Sequence, residues 1–187
     1  MSKKAFRAEN QQERLMIGWV VGFVDGEGCF SINFIKQPDR KEKARIRKGY
    51  KTGFQVAHEF AVTQGESSLN CLKELKDFFG VGGVYINKRY DNHKEHLYRY
   101  CVRKRDDLNN VIIPFFRKYS LKTSKKKNFE LFVRCIKEMQ LGKHLTKEGL
   151  IKIMKLSESM NHKRSRKNII RILRNQTSDS AKSGEDR

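Results

Sequence analysis

Val20-Val21-Gly22-Phe23-Val24-Asp25-Gly26-Glu27-Gly28 joins the end of an apolar helix to the start of a strand. Upstream of it, Leu15, Trp19 and Phe23 recur every fourth residue, so Gln11 to Asp25 reads as a helix that Gly28 ends. Gly18, Gly22 and Gly26 stand four apart on one face of that helix, where another helix can approach almost backbone to backbone. Each glycine costs a helix about 1 kcal/mol relative to alanine. Something therefore packs there, either this chain's own core or a second helix. Asp25 and Glu27 fall at the C-terminal end, where the macrodipole is negative and the last carbonyls lack partners. Two readings are open: a solvated acidic turn, or a hard divalent cation held by a carboxylate and a free carbonyl.

Downstream, Cys29 to Lys36 alternates as a strand, with Phe30, Ile32 and Phe34 on one side and Ser31, Asn33 and Ile35 on the other. Gln37 to Lys51 is rich in lysine and arginine and reads as a mobile basic loop. Phe54, Val56, His58, Phe60 and Val62 mark the core side of a second strand whose other side carries Gln55, Ala57, Glu59 and Ala61. Ser67 is placed to cap a helix through Phe78, buried at Leu72 and Leu75 and ended by Gly80, Gly82 and Gly83. In a third strand Val84 and Ile86 face the core while Tyr85, Asn87 and Arg89 face away. After a turn near Asp91 and Asn92, Tyr98, Tyr100 and Val102 point in, and Arg99, Cys101 and Arg103 point out. Helices follow over Asp106 to Tyr119, interrupted near Pro114, and over Ser124 to Leu141, Thr146 to Met160 and Ser165 to Arg174. This order predicts an α+β domain over residues 1–174 with one four-stranded antiparallel sheet. Helices cover one face of it, and the polar face is left for solvent or a polar ligand. The tail, residues 175–187, has no large apolar residue and is expected to be disordered.

The 187 residues carry 41 Lys+Arg against 21 Asp+Glu, a formal net charge of +20 spread along the whole chain. Such a field attracts polyanions, which makes nucleic acid the default partner. Cys29, Cys71, Cys101 and Cys135 form no CxxC pair, so neither a zinc site nor a dense disulfide framework is expected. No stretch reaches the roughly 18 apolar residues of a membrane span, and no membrane partner is expected.

The nine residues from Val20 to Gly28 resemble the LAGLIDADG motif, with matching chemistry in every position. The resemblance extends in order through Phe60-Ala61-Val62-Thr63-Gln64, Phe79-Gly80-Val81-Gly82-Gly83, Tyr119-Ser120-Leu121-Lys122-Thr123-Ser124-Lys125-Lys126, Leu145-Thr146-Lys147-Glu148-Gly149-Leu150 and Ser159-Met160-Asn161. The chain is thus similar to single-motif homing endonucleases. That similarity implies an αββαββα core with a saddle-shaped sheet lying in the DNA major groove, and extra C-terminal helices. One motif copy implies a homodimer in which the helices bearing Gly18, Gly22 and Gly26 pack together and bring two acidic residues to the centre. It also implies metal-dependent cleavage of a long, partly palindromic double-stranded DNA site. By position, Glu27 and the carbonyl of Gly26 would hold Mg²⁺, for which Mn²⁺ or Ca²⁺ could substitute in binding. Gln64 would lie at the edge of the site, and Lys125 would orient water or polarise phosphate, with Lys122 and Lys126 as substitutes. A solvated helix start or plain phosphate contact is the other reading of these lysines. Two departures are glutamate where aspartate is commoner, and Ser68 where some members place a further basic residue.

Asn33, Gln55, Tyr85, Asn87, Arg89, Arg99 and Arg103 have groove-reading chemistry and fall on the outward strand face. Arg40, Lys41, Arg45 and Arg47 suit phosphates, which give affinity without sequence information. The alternatives are an intron RNA maturase, with RNA as partner, and a regulator that binds DNA without cutting it. The compartment expected is an organelle or a prokaryotic cytoplasm.

Overall fold

The computed structural model describes residues 3–42, 45–88, 95–160 and 165–173. Arg89, the turn at Asp91 and Asn92, Asn161, Arg174 and the tail lie outside the described residues.

Helix α1 (Lys3–Glu27) is longer than the apolar repeat that announced it, beginning eight residues before Gln11 and ending two after Asp25. It leads directly into β1 (Gly28–Lys36), and at the junction a side chain in place of Gly28 would collide with the carbonyl oxygen of Val24. The segment read as a mobile loop instead contains a short ribbon, β2 (Arg40–Glu42) paired antiparallel with β3 (Arg45–Arg47). Its base is fastened by Asp39, whose carboxylate accepts the backbone N–H of Gly49 at 2.8 Å and pairs with Lys48 at 3.1 Å. The backbone N–H of Tyr50 adds a bond to the carbonyl of Gln37 at 3.2 Å. Arg40, Lys41, Arg45, Ile46 and Arg47 are all exposed, so the ribbon has no apolar alternation to announce it.

The main sheet has the order β1-β4-β6-β5, with β4 (Phe54–Gly65), β5 (Gly83–Asn87) and β6 (Leu97–Val102). β6 pairs antiparallel with both neighbours, setting Ala61 and Gly83 opposite Cys101, and Thr63 and Tyr85 opposite Arg99. The four-stranded antiparallel sheet is as expected. Three details differ. Ile86, assigned to the core side, is 45% exposed because β5 is the sheet's edge. Ala61 and Cys101, assigned to the outward side, are buried. Ser67 does not cap α2 (Leu69–Phe79) but lies within a short 3₁₀ turn ahead of it, its backbone N–H held by Glu95. Gly80 ends α2 in the left-handed conformation, φ 65°, which only glycine adopts at little cost.

The chain divides into two units. In the first, residues up to Phe30 together with Glu59 to Lys126, an aromatic cluster forms the core. Phe60 stacks on Phe30 with centroids 5.1 Å apart and meets Phe79, Tyr100 and Phe116 edge-on. Tyr100, buried, spends its hydroxyl on the carbonyl of Val81 at 2.9 Å, and burial pushes its pKa well up. After β6 the helix α3 (Arg105–Asp107) widens into a π-helical stretch, Leu108–Ile112, before α4 (Ile113–Lys118). Pro114 has no N–H to give and its ring crowds the preceding turn, so the break expected there takes this form.

In the second unit, Ser31 to His58 with the chain after Lys126, α5 (Lys125–Gln140) buries Phe132, Cys135, Ile136 and Met139 at helical spacing. Burial holds the Cys135 thiol up at about 12. Thr146 caps α6 (Lys147–Glu158), its hydroxyl accepting the N–H of Gly149 at 3.2 Å. Residues 167–173 are again helical. Among the described residues no helix is long and apolar enough to cross a membrane.

Candidate functional site

Asp25 ties the end of α1 to a segment almost a hundred residues downstream. Its carboxylate accepts the backbone N–H of Lys122 at 2.7 Å and of Thr123 at 3.1 Å, and the Thr123 hydroxyl at 2.7 Å. Burial alone would raise the Asp25 pKa, but these bonds and the nearby Lys125 charge outweigh it and hold the carboxyl below the usual aspartate value. The Thr123 oxygen in turn accepts the N–H of Lys125, first residue of α5, at 3.2 Å. Asp25 is therefore a structural acid, capping a segment other than its own helix.

Fixed in this way, Lys125 places its ammonium on the carbonyl oxygen of Gly26. Of the three candidate lysines, Lys125 alone reaches Gly26 among the described residues. Glu27 ends α1 with its side chain exposed and, among the described residues, without a hydrogen-bond or ion-pair partner. The Lys125 ammonium and the Gly26 carbonyl thus meet at the tip of α1, one residue before the exposed Glu27. Gln64 faces the same side of β4 as Phe60 and Val62, opposite Tyr98, and makes no bond to Glu27 or Lys125 among the described residues.

Glu27 and the Gly26 carbonyl offer two oxygens to a cation, against the six of octahedral magnesium. No group of three or more acidic, histidine or cysteine side chains able to hold a metal exists among the described residues. The donor chemistry suits a hard divalent ion, but one copy supplies only part of a coordination sphere. The remainder has to come from a second copy, from phosphate oxygens or from water.

The glycine face is bare. A Cβ added to Gly18, Gly22 or Gly26 would meet nothing within 4 Å, so the chain's own core does not fill that face. Beside it a groove of about 490 Å³ runs between Ile17, Gly18 and Val21 of α1 and Tyr119, Ser120 and Lys122. Leu15, part of the apolar repeat of the same helix, is 66% exposed.

The residues expected to read bases are scattered over the polar strand faces. Asn33 and Asn87 are exposed, and Gln55 is half-buried, accepting a bond from the Gln37 amide at 3.2 Å. Arg40, Lys41, Arg45 and Arg47 are exposed on the ribbon. Tyr85, Arg99 and Arg103 come together, and they do so around a residue that sequence reasoning passed over. Glu59 accepts from Nη2 of Arg99 and, at 3.1 Å, from Nε of Arg103. Its place on the outward side of β4 was visible; an acid on a face meant for DNA was the available signal.

A family model described as LAGLIDADG endonuclease matches residues 20–136. A probable intron-encoded endonuclease of Neurospora crassa is 32% identical over 143 residues, 76% of this chain and 28% of that protein. Across the first four relatives the chain spans between 25% and 46% of their length. Among solved structures, the homing endonuclease I-TnaI superposes with TM-score 0.64 at 36% identity, over 87% of this chain and 96% of that one. The meganuclease I-SmaMI, bound to an uncleaved DNA target in the presence of calcium ions, gives TM-score 0.63 at 36% identity, over 79% of this chain and 45% of that one.

Proposed function

Since the chain belongs to the LAGLIDADG endonuclease family, we propose that it is a homing endonuclease. On this reading a homodimer makes a double-strand break in a long, partly palindromic DNA site by magnesium-dependent hydrolysis. The observation that carries the reading is the bond of the Lys125 ammonium to the Gly26 carbonyl at the end of the motif helix, next in sequence to the exposed Glu27.

Glu27 and the Gly26 carbonyl would hold the metal, which when bound relieves charge on the phosphate and lowers the pKa of water. Lys125 holds its ammonium at Gly26, one residue from Glu27, where it orients the attacking water or neutralises a phosphate oxygen. Asp25 and Thr123 keep Lys125 there. Gln64, at the end of β4, would lie at the edge of the site. Because one chain carries one Glu27, a second copy packed on the bare Gly18, Gly22, Gly26 face completes the pair, and two-fold symmetry then sets two half-sites. Asn33, Gln55, Tyr85, Asn87, Arg89, Arg99 and Arg103 form the base-reading face, some meeting base edges and others holding those that do, while Arg40, Lys41, Arg45 and Arg47 meet phosphates.

The test is a plasmid carrying the uninterrupted host sequence that flanks this reading frame. Linearisation with magnesium and none with chelator is expected. An intact plasmid under both conditions, with specific binding retained, points to a regulator that binds without cutting, and the reading fails.

A further inference from the structure

The polar face of the sheet is built up at one place. Gly83, Cys101 and Ala61 lie side by side in register across β5, β6 and β4, a row of three small residues on adjacent strands. Larger side chains lie over this floor. The ring of Tyr85 folds back onto Gly83, so that a Cβ there would come within 2.8 Å of the Tyr85 hydroxyl. Arg99 starts opposite Thr63, four residues along β4 from Glu59, about 13 Å at the usual strand rise. To meet Glu59 it has to run along the strand face that carries Cys101 and Ala61, both of them buried. Arg103 comes to Glu59 from the other end and sets its guanidinium over the Tyr85 ring, 5.7 Å from the centroid. Filling any of the three floor positions with a larger side chain would lift this assembly.

An acid in this position opposes binding to a polyanion, since it cancels one of the positive charges that draw phosphate in. Its side chain is only 14% exposed, which suits a group that orients its neighbours. The two arginines are held differently. Arg99 gives Glu59 a terminal amine and is itself 34% exposed. Arg103 gives Glu59 its Nε, is 61% exposed, and leaves both terminal amines without a recorded partner among the described residues. End-on reading of guanine uses two amines of one guanidinium against O6 and N7. A guanidinium held through Nε and resting on an aromatic ring is ready for that contact, with its rotamers restricted before DNA arrives.

We propose that Glu59 is a specificity-determining positioning residue, which together with Tyr85 and the brace of Arg99 aims Arg103 at one guanine of each half-site. This rests on the endonuclease reading above, because the guanine belongs to the DNA that reading assigns.

The test selects bound duplexes from a randomised library in calcium, with wild type, Glu59→Gln and Arg103→Lys. Melting temperature and affinity for random duplex are measured alongside. Wild type should prefer guanine about tenfold or more at the position Arg103 reads. Glu59→Gln and Arg103→Lys should both lose that preference, at the same position, and keep the others. Affinity of Glu59→Gln for random duplex should hold or rise, because a negative charge is gone. Arg103→Lys keeps the charge and loses only the fork, so it reports on readout even if Glu59→Gln folds poorly. A wild type that selects no sequence overturns the endonuclease reading and this inference with it. If wild type selects a site and Glu59→Gln selects the same one, the inference alone is overturned. Loss of preference at all positions together, or at different positions in the two variants, assigns Glu59 a purely structural role and also overturns it.

Discussion

Asp25 and Thr123, 98 residues apart, are joined by both the backbone N–H and the hydroxyl of the threonine, the latter at 2.7 Å from the aspartate. Through this pair the motif helix dictates where α5 begins, and with it where the Lys125 ammonium lies. Asp25→Ala should therefore cost stability, about 1 to 2 kcal/mol for bonds to a charged acceptor that is partly in water. It should also lower cleavage more than DNA binding. Urea unfolding and parallel cleavage and binding assays check both.

The same bonds set a pH dependence. The folded Asp25 carboxyl lies below its ordinary value, so its stabilisation is fully present above the unfolded aspartate pKa, near 3.8, and is lost as pH falls through the lower folded value. Between pH 5 and pH 3, then, wild type should lose more stability than Asp25→Asn, and unfolding midpoints measured over that range will show it.

Lys125→Met should reduce cleavage by about a hundredfold or more while leaving affinity nearly intact, in line with losses when a positioned catalytic charge is removed. Lys122→Met and Lys126→Met should have smaller effects, since neither ammonium is on Gly26 among the described residues. Single-turnover rates on one duplex rank the three. Equal losses would return the lysines to plain phosphate contact.

Gly22 gives two opposite expectations. Alanine there meets nothing within the chain, so Gly22→Ala should raise the stability of an isolated copy by about 1 kcal/mol through helix propensity. Gly22→Leu should push paired helices apart, and dimerisation and cleavage should fail together. Sedimentation at micromolar concentration reports the first half of that statement and a plasmid assay the second. A fully active monomeric wild type would remove the reason for the bare face.

Much of this was legible in the sequence because it follows from periodicity. The helix before Gly28, the alternation in β1 and β4, and the order of elements each need only apolar spacing, and the motif chemistry fixed attention on Glu27. What was not legible depends on neighbours in space. The Arg40 to Arg47 ribbon buries neither face and so has no apolar signature. Ile86 looks like a core residue until β5 is known to be an edge. Ala61 and Cys101 read as outward and solvated until Arg99 and Glu59 are seen to join along the same strand face. Glu59 looked like one more polar strand residue, because nothing in the chain's order announces that two arginines from another strand converge on it.

Binding should fall steeply with salt, with a log–log slope of about −0.9 for each phosphate contact. Neutralising Arg40 and Lys41 together should make that slope shallower by about two contacts per subunit while leaving the preferred bases unchanged, because ribbon residues meet phosphate and not base edges. Titrations at several salt concentrations measure it, and a changed base preference would move the ribbon into the groove.

On the reading proposed above, the exposed carboxylate at the end of α1 holds the metal ion that cleavage requires. Glu27→Gln keeps the size of that side chain and removes its charge, so cleavage and binding of the same duplex, carrying the uninterrupted host sequence, should separate. Wild type should make a double-strand break in magnesium and none in chelator, while Glu27→Gln should bind with wild-type affinity and leave the duplex whole. Cleavage by Glu27→Gln at the wild-type rate would contradict it.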